Sequence, residues 1–174
     1  MKAQFWSFDI IFAMIIFIAA MIIITYVWLS VSGQFSIAYS NSMGNMQSQL
    51  QALAGRMLQQ GSPANWDSDL NVSNTVTWSN ITIGLGGQGG IDAGKVLSLA
   101  AMSNYDYQET KPAMGVGYDY FLEISGSGIN ITIGRNPSGY NALAIQVINE
   151  PVSIDGRQAD MELELWTNTT FGVS

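Results

Sequence analysis

IIFAMIIFIAAMIIITYVWL, residues Ile10 to Leu29, carries no charged side chain along its whole length. As an α-helix the run rises about 30 Å, the thickness of a bilayer's hydrocarbon core. Only Lys2 and Asp9 are ionisable ahead of it. Helical patterning continues beyond the run, where Tyr39, Met43, Met46, Leu50, Leu53 and Met57 recur in alternating steps of four and three. This spacing lays one apolar stripe along a helix. The pattern predicts a single helix over 4–60, apolar all round at 10–29 and amphipathic further on. Gly61-Ser62-Pro63 ends it, since Gly accepts a left-handed cap and Pro cannot continue a helix. A β-rich head is expected over 61–174.

Outside the long helix about 110 residues remain, enough for one ordinary domain. Charged residues make up 11% of the chain, against about 25% in soluble domains. The surface therefore needs another source of solubility: polar neutral residues, attached sugars or burial in an assembly. With a net charge of −7 and six unclustered cations, the chain is a poor match for a phosphate backbone, so no nucleic-acid partner is expected. It has neither cysteine nor histidine. Thiol nucleophiles, thiolate metal sites, and the commonest general base and metal ligand are thereby excluded. Four N-glycosylation sequons begin at Asn71, Asn80, Asn130 and Asn168. N-glycans at these positions would require the head to lie outside the cell.

Charge bias agrees. Lys2 precedes the apolar run and the next cation is Arg56, so the positive-inside tendency leaves the N-terminus in the cytoplasm and the head outside. The run is longer than the core of a secretory signal peptide and no small-x-small cleavage site closes it.

Past Pro63, Asp92 is suited to cap a short helix through Lys95 to Met102. Alternation marks strands at 118–124 and 129–133, with Gly126-Ser127-Gly128 as the hairpin turn. A further strand is expected at Ala142–Ile148, with Pro151 interrupting it. Asp155-Gly156 then turns the chain into 158–166, whose Met161, Leu163 and Leu165 face is apolar. The fold class is α+β, a long N-terminal hydrophobic helix followed by a mostly antiparallel, β-rich head.

Three motifs suggest chemistry and fall short of it. Gly84 to Gly90 contains G-x-G-x-x-G, and Gly89 to Lys95 contains G-x-x-x-x-G-K, but Val96 stands where a Mg²⁺-binding hydroxyl belongs; a flexible Gly-rich turn suffices. Asp67, Asp69 and Asn71 resemble the opening of a Ca²⁺ loop, with Val72 in place of the turn Gly and Trp78 in place of the bidentate Glu. Asp160, Glu162 and Glu164 share the solvent face of one strand. No catalytic residue, metal or cofactor is expected.

The start of the chain, Met1-Lys2-Ala3-Gln4-Phe5-Trp6-Ser7-Phe8-Asp9, resembles the class III signal of archaeal type IV pilins. The likeness extends loosely through Gly61-Ser62-Pro63, Gly90-Ile91-Asp92 and Lys111-Pro112 to Tyr118-Asp119-Tyr120-Phe121. It implies that a prepilin peptidase removes a leader of residues 1–3 or 1–4. Cleavage at Ala3/Gln4 matches the basic-then-small pair; cleavage at Gln4/Phe5 restores the family's spacing to the acid. The resemblance also implies a register role for Asp9 opposite a neighbour's α-amine. Ile11, Phe12, Ile15, Ile18, Ile22 and Trp28 would lie in the core of a helical filament. Implied partners are copies of the same chain, the peptidase, the assembly platform and, before assembly, the cytoplasmic membrane. The implied product is a surface filament serving adhesion; the alternative is a permanently anchored extracellular adhesin or binding module.

Overall fold

A computed structural model describes residues 5–126 and 128–169. The chain divides into two units, one reaching Ser42 and the other covering Met43–Thr170. The first helix, α1, spans Phe5–Met57, three residues short of the expected end. Nothing in it breaks the backbone ladder, as it contains no proline. Two of its hydroxyls are satisfied internally: Thr25 donates to the Met21 carbonyl at 2.8 Å and Ser32 to that of Trp28 at 2.7 Å. Such back-bonding lets polar side chains sit in an apolar run without an outside partner.

The compact unit starts at Met43 and so takes in the last turns of α1. Met46, Leu50, Leu53, Ala54 and Met57 are buried there, at the i, i+3, i+4 spacing of one helix face. Two further helices follow, α2 at Ala93–Tyr105 and α3 at Tyr107–Ala113. Asp92 caps α2 as expected, accepting from the N–H groups of Gly94 and Lys95. Asp106 repeats the device for α3, accepting from Gln108 and Glu109.

Six strands form one sheet: β1 (Gly86–Gly87), β2 (Gly90–Ile91), β3 (Asp119–Gly126), β4 (Ile129–Gly134), β5 (Ala144–Ile154) and β6 (Arg157–Thr167). Their spatial order is β1-β2-β5-β6-β3-β4. The α+β class holds, but the sheet is mixed rather than the mostly antiparallel one expected. The β1–β2 hairpin meets the sheet where Ile91 pairs with Ile154, and β2 runs parallel to β5. A parallel neighbour requires a long connection, supplied here by α2, α3, β3 and β4. Two-residue strands made largely of glycine carry no alternation, so this edge could not be read as strand from the sequence.

The hairpins fall where the turn residues predict. Gly126 pairs with Ile129. Ile154 pairs with Arg157 across Asp155 and Gly156, both with positive φ, the backbone of a two-residue turn that matches strand twist. Pro151 does not interrupt its strand. β5 runs through it, with Pro151 opposite Asp160. On the other edge β5 is paired only at Ile154, so the missing N–H costs no ladder bond. The core face of the sheet brings Leu122 opposite Leu163 and Ile124 opposite Met161, all four fully buried. Each contributes about 1.5–3 kcal/mol on burial.

Candidate membrane and assembly surface

Every residue of α1 from Phe8 to Gln34 is exposed. Ile11, Phe12, Ile15, Ile18, Ile22 and Trp28 are all among them, Trp28 at 72%. The segment is long and apolar enough to cross a membrane. Leaving such side chains in water forfeits about 1.5–3 kcal/mol apiece, so the surface calls for a non-aqueous cover, lipid or other apolar helices.

Asp9 is exposed at the fifth position of α1 as described, past the first turn, which holds no acid. Lys2, Ala3 and Gln4 lie outside the described residues, as does the side chain of Phe5. The expected leader-cleavage positions therefore fall beyond what the structure describes. Tyr39, the first residue of the Met/Leu stripe, is half-exposed and precedes the compact unit, and the buried stripe starts at Met46.

The sequon asparagines Asn71, Asn80, Asn130 and Asn168 are exposed. Asn71 uses its side-chain oxygen to accept from the Ser73 N–H at 3.1 Å. Asn130 lies on β4, at the end of the sheet order. Asp69 accepts from the Asn65 amide at 3.2 Å, and among the described residues no three acidic side chains gather where a metal ion could bind.

The glycine-rich stretch is a seat for the end of α1. A Cβ at Gly84 would collide with the Gln59 carbonyl, and one at Gly86 with that of Leu58. Backbone meets backbone there: Leu85 N–H donates to the Met57 carbonyl at 2.8 Å and Gly86 N–H to Gln59 at 2.7 Å. Lys95, the lysine of the phosphate-loop pattern, is buried. Its Nζ donates to the Gln60 carbonyl at 2.6 Å and the Gly86 carbonyl at 3.0 Å. The ammonium is a pin between the segment leaving α1 and β1. The sequence shows its spacing but cannot show that two backbone carbonyls accept from it.

A second polar cluster escaped sequence reasoning. Asp119 accepts from the Tyr107 hydroxyl at 3.0 Å and the Lys111 ammonium at 3.2 Å. Tyr107 in turn accepts from the Tyr120 N–H at 2.9 Å, and the two rings stack at 5.0 Å. Burial pushes the Tyr107 hydroxyl far above the usual phenol range, and the Asp119 charge adds to the effect. Burial also pushes Tyr120 up to about 12. Arg135 lies over the Tyr107 ring at 4.2 Å. These residues come from α3, β3 and the position just after β4, and no spacing in the sequence joins them.

The sheet's other face carries acids. Glu162 stands opposite Glu123 on β3, and Glu164 is two residues further along β6. The Glu164 carboxyl is raised by partial burial, by its hydrogen bond to Glu162 and by the charges of Glu162 and Glu123.

Comparison with known proteins finds no match to any family model, characterised protein or solved structure.

Proposed function

We propose that the protein is a structural subunit of an archaeal type IV pilus-like surface filament. It inserts in the cytoplasmic membrane through α1, loses its leader to a prepilin peptidase and assembles through the apolar half of that helix to serve adhesion. The observation that supports this most is the uniform exposure of the apolar run over 10–29, on the same helix whose later residues are core. Lipid satisfies such a surface before assembly, and a bundle of identical helices satisfies it afterwards. Lys2-Ala3-Gln4 and Asp9 support the reading over a permanent anchor, which needs neither a processing signal nor an acid at the mouth of its apolar run.

The test is the N-terminus of the surface-exposed form, measured by mass spectrometry in an archaeal host with an active prepilin peptidase. A start at Gln4 or Phe5, together with recovery of the protein in sheared fibres, is expected. A chain that keeps Lys2 and forms no fibres is a membrane-anchored ectodomain instead. Asp9→Lys should abolish fibres while the head stays folded; normal fibres from that variant would remove Asp9 from any register role.

A further inference from the structure

Arg135 has an unusual position for a cation in so acidic a chain. The one salt bridge among the described residues joins Lys111 to Asp119, and Arg135 takes part in none. No side-chain hydrogen bond from its guanidinium is formed there either. Yet its location is fixed: its N–H donates to the Tyr120 carbonyl at 2.9 Å, and its own carbonyl accepts from the Trp166 indole at 2.8 Å. The guanidinium rests on the Tyr107 ring at 4.2 Å and reaches toward Tyr140 at 5.6 Å. It also borders an open, mainly polar cleft of about 520 Å³, shared with Asn104, Tyr105, Asp106 and Gln108.

We infer that this cleft binds an acidic saccharide through the carboxylate of a uronic-acid unit. A planar guanidinium with free donors matches a carboxylate with two parallel hydrogen bonds, and stacking holds the fork in place before the ligand arrives. The amides of Asn104 and Gln108 each offer both a donor and acceptors, the pairing that sugar hydroxyls require. Asp106 already accepts from two backbone N–H groups and forms no ion pair with Arg135, so its remaining oxygen is suited to a hydroxyl donor. Half-exposed Tyr105 supplies a ring at the rim. Little apolar wall is present to take a hydrophobic side chain, which favours a sugar over an apolar peptide. The inference gives the proposed adhesive role a ligand class, but the site lies wholly in the compact unit and needs no filament.

The full chain in detergent micelles, titrated calorimetrically with sodium glucuronate, glucose and sodium acetate, tests the site. Glucuronate should saturate, with glucose and acetate each at least about tenfold weaker. Arg135→Lys, which keeps the charge and loses the fork, should weaken glucuronate about tenfold. Gln108→Ala should weaken it less, and serves if the arginine variant does not fold. Absence of glucuronate binding in the tens of millimolar overturns the inference, as does binding unchanged by both substitutions. Acetate binding as well as glucuronate would leave a bare carboxylate site and overturn the saccharide. Because the dispersed chain is used, this result is independent of whether filaments form.

Discussion

The first and last parts of α1 are made of similar residues and meet opposite fates. Ile15, Ile18 and Ile22 are exposed, while Met46, Leu50, Leu53 and Met57 are fully buried. Apolar side chains surround the helix axis over 10–29, so no single face is distinguished and no one partner could cover it. Further on, apolar residues occupy one stripe and Gln, Ser, Asn and Arg occupy the rest, which suits a helix bordered by protein on one side and water on the other. Hydrophobicity makes water a poor solvent for both halves. Its angular distribution decides what covers them.

The comparison can be broken at either end. Ile18→Asp places a carboxylate in the middle of the apolar run, at a cost of about 2.5–3.5 kcal/mol for an aspartate at the bilayer centre. The expected outcome is transfer of the protein from the membrane pellet to the soluble or degraded fraction. An unchanged share of protein in the membrane pellet would show that Ile18 does not lie at the bilayer centre. Leu50→Ala should do the converse. It should lower the stability of the compact unit by about 2–5 kcal/mol, measured by urea unfolding in micelles through buried Trp66, Trp78 and Trp166, with membrane recovery unchanged.

Lys95→Met probes the join between helix and sheet. Removing the ammonium strands the Gln60 and Gly86 carbonyls, so a loss of about 1–3 kcal/mol is expected in the same assay. An unchanged midpoint would mean that water replaces the pin. The smallest effect belongs to the sheet's acidic face. The folded-state carboxyl of Glu164 is raised above its ordinary value of 4.5, so the folded protein holds this proton more tightly than the unfolded chain. Its contribution to stability is therefore fully present below about 4.5 and is lost as pH rises through the folded value. Glu164→Gln should flatten that decline and slightly raise the unfolding midpoint at neutral pH. A steeper decline in the variant would reverse the assignment.

Legibility followed the range of the forces involved. The long helix, the Asp92 cap, the Gly126–Gly128 and Asp155–Gly156 turns and the buried Met161, Leu163 and Leu165 face all arise from neighbours in the chain, and each could be read from local pattern. Pro151 misled because its effect depends on whether its strand edge is paired, which is a property of the sheet. The Gly84–Gly90 stretch misled for a similar reason: Gly84 and Gly86 are required by the backbone of Leu58 and Gln59, more than twenty residues earlier in sequence. Arg135, Tyr107 and Asp119 were silent, since no motif links them and their proximity follows from strand order.

The sequence by itself determined that a helix with a charge-free run over 10–29 lies near the N-terminus, that its later turns are amphipathic, and that strands and hairpins follow, because periodicity and turn chemistry act over a few residues. Only the tertiary structure decided that the sheet is mixed, that Lys95 pins the segment leaving α1 to β1, and that Arg135, stacked on Tyr107, borders a polar cleft. Those outcomes depend on which distant backbones approach one another, and a linear pattern of side chains does not encode that choice locally.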